Sequence, residues 1–438
     1  MKSLRGKGMK RFLAMILLSV MVITALTGCG GGKATTQTES KTPTVSDADP
    51  STFKGELTYW TYFDQAPYIV KAFTSKYPNV KIDLQTFGGD QYQTKLMTTI
   101  QSGKGIPDMF DLEEGYVYKF LDSDAVANLG PLGANDLVKD YYPWAAAMGK
   151  DSKGNLKGVC NNVSPVAYWY LRDVMQKWLG TSDPDQIADK LSSWDKIIAA
   201  AKDVKQKSNG TVYLWPNMDE VVKVEGYSIT PFVRNGKFAV DSKWYDVLKT
   251  MRTLYDQKLT ANLDSWGQDW ANQWNQGKLL IRVMPSWDFF TDWKKNTGNV
   301  GVAKPLKGSY EGGTYTALYA KSDKKDLAMQ FIKFVTTTDF QIDNLKTNNQ
   351  MPANTKVFDQ IGADYTASKF GNQNILKTYN DILKTIPNIV PDKYTRDVQN
   401  IFGKHAEQGI KKGESDEQII KEFETEVKDK YPEIEGLQ

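Results

Sequence analysis

Residues 55–113 decide the fold, and they read GELTYWTYFDQAPYIVKAFTSKYPNVKIDLQTFGGDQYQTKLMTTIQSGKGIPDMFDLE. Residues 57–60 are rich in strand-forming side chains, and apolar residues alternate with polar ones over 80–84, so both stretches predict strands. Apolar residues recur at helical spacing over 66–77 and predict a helix between these strands. A second helix over 92–102 leads into a third strand that GIPDMF introduces.

This β-α-β-α-β order predicts an α/β protein. Strands that alternate with helices need crossover connections, so we expect a largely parallel sheet with helices packed on its faces. Ligands of such sheets bind beyond the carboxyl ends of the strands. We therefore expect the ligand site at residues 60–64, 87–90 and 112–114, which lie at the carboxyl ends of the three predicted strands.

The remainder of the chain continues the mixed pattern. Periodicity and strand propensity predict further elements, which are a helix over 193–207, a short strand over 212–215, helices over 244–257 and 266–276, a strand over 278–284, a helix over 326–337, and a helical tail over 391–431 with breaks at Gly403, Gly409 and Gly413.

The first residues have the features of an export signal. Five basic side chains precede the apolar run at 12–26, which is shorter than the ~20 residues that span a membrane. The sequence LTGC at 26–29 resembles the lipobox of bacterial lipoproteins, in which the cysteine takes a diacylglycerol and becomes the first mature residue. We expect residues 1–28 to be the signal peptide, Cys29 to be lipidated, and residues 29–54 to be a flexible linker. The alternative is an uncleaved anchor helix.

Composition excludes several classes of protein. Without residues 1–28 the formal charge falls from +3 to −2, so the basic balance of the whole chain does not indicate nucleic-acid binding. His405 is the sole histidine of the sequence and Cys160 the sole cysteine besides Cys29, which argues against zinc sites, redox CxxC pairs and an internal disulfide. Cys160 is expected to be a small buried residue, and no cofactor or metal is expected.

Aromatic residues make up 12% of the chain, including 12 Trp and 22 Tyr. Aromatic faces pack against the C–H faces of sugar rings, while carboxylates and amides bind their hydroxyl rims. This composition fits a sugar-binding protein. It also fits a glycoside hydrolase, since such enzymes need only two carboxylates.

Several segments resemble, in the same order, the family 1 extracellular solute-binding proteins, which are the maltose-binding-protein-like receptors of carbohydrate ABC importers. The segments span about residues 55–430 and are GELTYW (55–60), KL (95–96) followed by GIPD (105–108), YLRDV (170–174), SWD (193–195), QGK (276–278) followed by PSW (285–287), 325–334 and MPA (351–353). In YLRDV, leucine replaces the usual asparagine of the family.

This resemblance implies a two-lobed periplasmic-binding-protein-like fold of type II, with the ligand cleft between lobes that chain crossings join. One lobe would comprise 55–164 with 303–343, and the other 165–302 with 344–438. The implied function is that of a monomeric receptor without enzymatic activity, lipid-anchored on the extracellular face of the cell membrane. It would capture an oligosaccharide by hinge closure and deliver it to the permease subunits. The alternatives are a receptor of the same fold for a peptide, a polyamine or ferric iron, and, less favoured, a carboxylate-based glycosidase.

The resemblance and the strand ends together suggest ligand-binding residues. Aromatic side chains would stack on the sugar, and carboxylates and amides would accept or donate hydrogen bonds to its hydroxyls. The candidates are Trp60, Tyr62, Phe63, Asp64, Gln65, Glu113, Glu114, Tyr116, Asn162, Trp215, Asn217, Trp287, Asp288 and Tyr394. Trp287 is the strongest of them, because it follows the apolar strand at 278–284, where the chain enters the crevice.

The lipobox generates a direct prediction. A Cys29→Ala variant should accumulate as an unlipidated precursor or be lost from the membrane fraction, because the thiol that takes the lipid is gone. Palmitate labelling and cell fractionation measure this, with Cys160→Ala as the matched control that keeps its label. Unchanged labelling and fractionation of the Cys29 variant would contradict the lipoprotein assignment.

Overall fold

The computed structural model describes residues 49–287 and 295–437, which form strands and helices in alternation. The strands are β1 (Gly55–Thr61), β2 (Val80–Thr86), β3 (Met109–Glu113), β4 (Gly158–Leu171), β5 (Val233–Arg234), β6 (Lys237–Phe238), β7 (Ile281–Pro285), β8 (Val300–Ala303) and β9 (Tyr310–Leu318). The helices of the first half are α1 (Ala66–Lys76), α2 (Gly89–Ser102), α3 (Tyr118–Leu121), α4 (Ala134–Leu137), α5 (Pro143–Met148), α6 (Arg172–Leu179), α7 (Pro184–Lys190), α8 (Trp194–Lys207) and α9 (Glu220–Gly226).

The helices of the second half are α10 (Lys243–Asp256), α11 (Gln268–Asn275), α12 (Lys325–Thr336), α13 (Thr338–Asn348), α14 (Thr355–Ile361), α15 (Ile375–Leu383), α16 (Thr395–Lys412) and α17 (Asp416–Lys430). Within the described ranges, no helix is both long enough and apolar enough to span a bilayer. The α/β class predicted from the sequence is confirmed.

The main sheet has the strand order β2-β1-β3-β9-β4-β7, and β8 also pairs with β4. β1 pairs in parallel with both β2 and β3, as the β-α-β-α-β pattern of 55–113 predicts. The expectation of a largely parallel sheet is wrong beyond β3, because β9 pairs antiparallel with both β3 and β4, and β4 is antiparallel to β7 and β8. β9 returns from far along the chain to lie between β3 and β4, which local periodicity does not reveal.

Strand β4 runs through the centre of the protein, and all of its residues are buried. Its first part pairs with β9, and its last residues pair with β7 and β8. The β4–β9 register shifts between Cys160 and Asn162 and again between Val163 and Pro165. Such irregularities bend a strand and turn its side chains. One continuous strand thus connects two parts of the sheet.

The buried apolar side chains form two clusters. In the first, Phe73 of α1 packs edge-on against Phe331 of α12, with ring centroids 5.2 Å apart. In the second, Phe232 stacks on Trp244 at 4.4 Å and contacts Phe423 of α17. In both clusters, the helices bury the apolar faces that the periodicity of their sequences predicts.

The two clusters do not coincide with the predicted lobes. Residues 394–434 contribute to the second cluster, whereas buried residues of α14 and α15 belong to the first. The first cluster also includes Trp169, Trp270 and Cys160, the last of which is buried as expected. The predicted lobe boundaries therefore stay a prediction.

Four local predictions differ from the structure. Helix α16 continues through Gly403 and Gly409 and ends only at Gly413, which has φ of +77°. A Cβ at position 409 would come within 2.4 Å of Ile419, so a glycine there allows α17 to pack closely against α16. Helix α11 begins at Gln268, and Trp266 before it has φ of +71°.

The stretch 212–215 forms isolated bridges, Tyr213 to Leu279 and Trp215 to Thr260, in place of the predicted strand. At the beginning of the described chain, Pro50–Thr52 form a short helical turn that was expected to be linker. Phe53 packs edge-on against Tyr77 there, so ordered structure starts before Gly55. Residues 1–48, including Cys29, lie outside the described residues.

Asp111 of β3 is fully buried. Its carboxylate accepts hydrogen bonds from the Tyr59 hydroxyl at 2.5 Å, the Thr61 hydroxyl at 2.7 Å and the Thr316 hydroxyl at 2.7 Å, which connects β1, β3 and β9. Burial nevertheless raises the pKa of Asp111 to about 6, because the three hydrogen bonds compensate only part of the lost hydration.

This shift predicts a pH-dependent stability. The raised pKa means that the folded protein keeps a proton on Asp111 between about pH 4 and pH 6, where the unfolded chain has lost it. Stability from this group is therefore lost as the pH rises through that window. Relative to Asp111→Asn, which cannot titrate, the free energy of unfolding of the parent should fall by about 3 kcal/mol. Urea denaturation of both proteins from pH 4 to pH 8 measures the two free energies of unfolding. If the value of the parent minus that of the variant stays constant or rises with pH, the prediction is contradicted.

Candidate functional site

A cavity of about 590 Å³ opens where the ends of β1 and β3 approach β4, β9 and Trp287, two residues after β7. It brings together seven of the residues that the sequence analysis selected, which are Tyr62, Phe63, Asp64, Gln65, Glu113, Asn162 and Trp287. We call this space the main cavity. Its position beyond the ends of β1 and β3 is the one that α/β topology favours for ligands.

Tyr62 is fixed by the strand that faces it. Its hydroxyl lies 2.9 Å from the Thr314 hydroxyl and donates to the Gly313 carbonyl oxygen at 3.3 Å. The backbone N–H of Phe63 donates to the Thr61 hydroxyl at 2.9 Å, which holds the loop tightly against the end of β1. Asp64 is exposed in the same loop, just before α1. The loop therefore presents two aromatic rings and a carboxylate on a short, rigid connection.

Trp287 follows β7 at the edge of the main cavity, and 36% of its surface is exposed. Its indole N–H donates to the Glu311 carbonyl oxygen at 2.9 Å, and its ring stacks on Trp266 with centroids 5.0 Å apart and planes 11° from parallel. Gly312, with φ of +87°, lies directly beside the indole, where a Cβ would come within 3.1 Å of Nε1. The ring is thus held on one face and at its nitrogen while much of it stays open to solvent.

Three glutamates of the site face one arginine. Oε2 of Glu114 lies 3.2 Å from the Arg396 guanidinium and accepts from the Gly312 N–H at 3.3 Å, while Glu113 accepts from the Gly115 N–H at 2.8 Å. Burial raises the pKa of Glu114 to about 8, and Arg396 opposes this shift while Glu113 adds to it. Burial also raises the pKa values of Glu113 and Glu311, again against the attraction of Arg396. The cluster therefore binds protons more readily than exposed carboxylates do.

A second, smaller cavity of about 150 Å³ adjoins the main cavity, and Glu311 and Arg396 line both. Glu114 and Tyr116, two further candidates, line the second cavity instead of the main one. We call this space the Glu220 cavity after the buried carboxylate in its wall. The residues after β3 thus divide between two neighbouring spaces.

The structure places four other candidates away from both cavities. Trp215 is fully buried in the second apolar cluster, edge-on to Tyr168 and Trp194, because the bridges at 213 and 215 turn its ring inward. Asn217 is buried, and its side chain accepts from the N–H of Met218 at 2.8 Å.

Trp60 lies on β1 with its ring edge-on to Phe87 and beneath the Lys95 ammonium, so it packs against α2 and lies outside both cavities. Tyr394 is buried just before α16, its ring packs against Tyr431, and its hydroxyl donates to Glu433 at 2.9 Å. These placements correct the sequence analysis for Trp60, Trp215, Asn217 and Tyr394. Asp288 lies outside the described residues.

Sequence reasoning missed several cavity residues, among them Glu311, Thr314, Gln350 and Arg396. The pair Gly312-Gly313 carries a usable signal, because two adjacent glycines inside a strand pattern indicate close approach of another group. Nothing in the neighbouring sequence identifies Arg396 as a cavity residue, because a single arginine in the first turn of a helix is typical of a solvent-exposed surface. Its position over Gly115, where a Cβ would come within 2.6 Å of its guanidinium, depends on tertiary packing alone.

The main cavity combines aromatic faces with carboxylates, amides and hydroxyls. Such a lining suits a ligand that has both C–H surfaces and many hydroxyl groups. Among residues 49–287 and 295–437, no group of three or more His, Cys, Asp and Glu side chains is arranged to hold a metal ion. The site is equipped for binding through stacking and hydrogen bonds.

Comparison with known proteins agrees with this picture. Over 381 residues the chain is 24% identical to an arabinooligosaccharide-binding protein of Halalkalibacterium halodurans, covering 79% of this chain and 82% of that protein. It is 25% identical over 356 residues to an arabinooligosaccharide-binding protein of Bacillus subtilis, covering 74% of this chain and 76% of that protein.

Solved structures show the same fold. The crystal structure of a family 1 extracellular solute-binding protein superposes with a TM-score of 0.76 at 18% identity, covering 84% of this chain and 99% of that chain. The sugar-binding protein MalE of Xanthomonas citri superposes with a TM-score of 0.72 at 16% identity, covering 86% and 97%. Residues 68–371 match the family profile of the bacterial extracellular solute-binding proteins, which spans well over half of the sequence. This chain therefore belongs to the bacterial extracellular solute-binding proteins.

Proposed function

We propose that this protein is the extracellular receptor of an ABC importer and that it binds an oligosaccharide in the main cavity without altering it. The observation that carries the proposal is the half-open Trp287 ring, held at its nitrogen by Glu311 and faced by Tyr62, Phe63 and Asp64 across the same space. An aromatic platform opposite a polar loop is the arrangement that grips a sugar ring on its face and its rim.

The relatives support a sugar as the ligand. Both curated relatives bear the name arabinooligosaccharide-binding protein, and each is matched over about three quarters of its length or more. Two further solved neighbours were determined with lacto-N-biose and with β-1,6-galactobiose. An arabinose oligomer is therefore the first ligand to test, and the alternatives are a different oligosaccharide or a non-sugar solute.

Ligand capture would proceed by closure of two lobes, with boundaries at 55–164 and 303–343 for one and 165–302 and 344–438 for the other. Three passages of the chain meet near Asn162, whose side chain accepts from the Thr314 N–H at 2.9 Å and donates to Gln350 at 2.5 Å. This junction is the proposed hinge. A ligand drives closure only if it binds the closed form more tightly, so groups on both sides of the cavity must contact the sugar.

The location follows from the sequence features already described. A lipid on Cys29 would tether the protein to the outer surface of the cell membrane, with residues 29–54 as the leader to the folded part. The tethered receptor, a monomer, would meet its permease subunits by diffusion along the membrane and release the sugar to them.

A glycosidase is the alternative from another class of protein, since Glu113, Glu114 and Glu311 lie at the cavities. The relatives are binding proteins, which favours a receptor. Incubation with an arabinose oligomer separates the two functions, because a receptor returns the oligomer intact whereas a hydrolase shortens it.

The exposed platform yields the main prediction. Trp287→Ala should melt within a few degrees of the parent, because a ring that is 36% exposed contributes less to stability than a buried tryptophan, whose loss costs ~3–5 kcal/mol. Its affinity for an arabinose oligomer should fall at least tenfold, which corresponds to ~1.4 kcal/mol. Calorimetric titration measures the affinity, and thermal unfolding without sugar measures the stability.

Tyr245→Ala is the matched control, because Tyr245 is similarly exposed, at 39%, but lies on α10 outside both cavities. This variant should bind the oligomer as the parent does. Sugar binding by Trp287→Ala at parental affinity would remove Trp287 from the site, and unfolding of that variant would mean that the ring is part of the core.

A further inference from the structure

The Glu220 cavity has the features of a binding site in its own right. Tyr118, Tyr227 and Tyr310 supply aromatic wall, and the Tyr227 and Tyr310 rings lie 4.6 Å apart. Tyr310 is backed by Trp144, which stacks on it at 4.7 Å with the planes 6° from parallel. A cavity of about 150 Å³ is large enough for one six-membered ring. The space is therefore rigid on one side and of the size of a single sugar unit.

Glu220, the first residue of α9, lines this cavity with only 1% of its surface exposed. One carboxylate oxygen, Oε1, accepts from the Lys223 ammonium at 3.2 Å and from the Ser265 hydroxyl. The other oxygen, Oε2, has no hydrogen-bond partner among the described residues. Two donors thus fix the orientation of the carboxylate and leave one buried acceptor unpaired, an arrangement that is costly unless another donor reaches it.

Two buried hydroxyls in the same wall are also unpaired. The hydroxyls of Tyr116 and Tyr118 have no partner within the described part of the chain, although both residues line the Glu220 cavity. A tyrosine hydroxyl both donates and accepts, whereas the free oxygen of Glu220 accepts only. The cavity therefore offers hydrogen-bonding capacity of both kinds around one small space.

The charges at this cavity favour a neutral occupant. A cationic ligand would meet Lys119, Lys223 and Arg396, which all line the space. An anionic ligand would meet Glu220 and Glu311. A neutral ring with several hydroxyl groups meets neither repulsion, stacks on the tyrosines and supplies the missing donors.

We propose that the Glu220 cavity is a second subsite, which holds one sugar unit at the end of the oligosaccharide whose other units occupy the main cavity. This inference rests on the proposed function and adds to it a minimum ligand length. Glu311 and Arg396 form the common wall of the two cavities, so a chain that passes them reaches both. A free monosaccharide has the same chemistry as the terminal unit of an oligosaccharide, and the experiment distinguishes these two ligands.

The test is a titration of the parent protein and of two variants, Glu220→Gln and Tyr118→Phe, with arabinose and with arabinose oligomers from dimer to hexamer. The parent should gain at least tenfold in affinity at the chain length that first reaches the second subsite. Both variants should lose that gain and should bind shorter oligomers within about twofold of the parent. Because the Tyr118 hydroxyl has no protein partner, its removal should not lower the melting temperature of the unliganded protein.

Glu225→Gln serves as the matched control, since Glu225 lies on the same helix but accepts from the Trp194 indole N–H at 2.8 Å, away from the cavity. It should bind every oligomer as the parent does. A different result would be that the parent binds free arabinose, that both variants weaken this binding, and that affinity does not increase with chain length. The cavity would then be a separate monosaccharide site, and the claim of a minimum ligand length would be overturned.

Two other results would overturn the inference while leaving the proposed function in place. In the first, both variants bind oligomers of every length with the affinity of the parent. In the second, both variants lose the same factor in affinity at every oligomer length, which would assign the two residues to the main cavity alone. If the parent binds none of the oligomers, the proposed arabinose ligand fails, and the second subsite fails with it.

Discussion

The pairing of β4 with β9 is the constraint on which the rest of the structure depends. The two strands run antiparallel through the middle of the sheet, and their register shifts twice within a few residues. At the shift, Asn162 accepts from the N–H of Thr314 and donates to Gln350, and the N–H of Val163 donates to the Met351 carbonyl oxygen at 3.0 Å. Three distant passages of the chain are thus bonded at one buried point.

This junction positions residues that line the main cavity. From it, β9 continues back to Gly312 and Glu311, which contact Trp287, while Thr314 fixes Tyr62 from the opposite side. The two faces of the main cavity are therefore attached to the same short segment.

The sequence predicted the parts of the fold that local patterns determine. The first three strands and the two helices between them are where periodicity places them, and the loops after β1 and β3 reach the cavities as topology requires. The antiparallel insertion of β9 was not predictable, because it depends on pairing between residues some two hundred positions apart. Gly409 was misread as a helix break because the close packing against Ile419 that explains its small size is invisible in the sequence, and nothing in the structure explains the glycine at 403.

For the site, residues that adjoin strand ends could be found and residues defined by packing could not. Tyr62 follows β1, Glu113 ends β3 and Trp287 comes two residues after β7, and all three line the main cavity. Trp215 likewise ends a stretch with strand character, but its ring belongs to the second apolar cluster. Aromatic residues in the core and in a cleft look alike in a sequence. Arg396 and Glu220 reach the cavities from helix starts far along the chain, so only the three-dimensional structure reveals them.

The central claim is that the main cavity holds an oligosaccharide against Trp287. The most direct test is a crystal structure of the protein grown with an arabinose oligomer. The account predicts a sugar ring stacked on the Trp287 indole, with hydroxyls bonded to side chains of the 62–65 loop and of the Glu113 region. A structure with the oligomer bound elsewhere, or with a non-sugar solute in the main cavity, would contradict it.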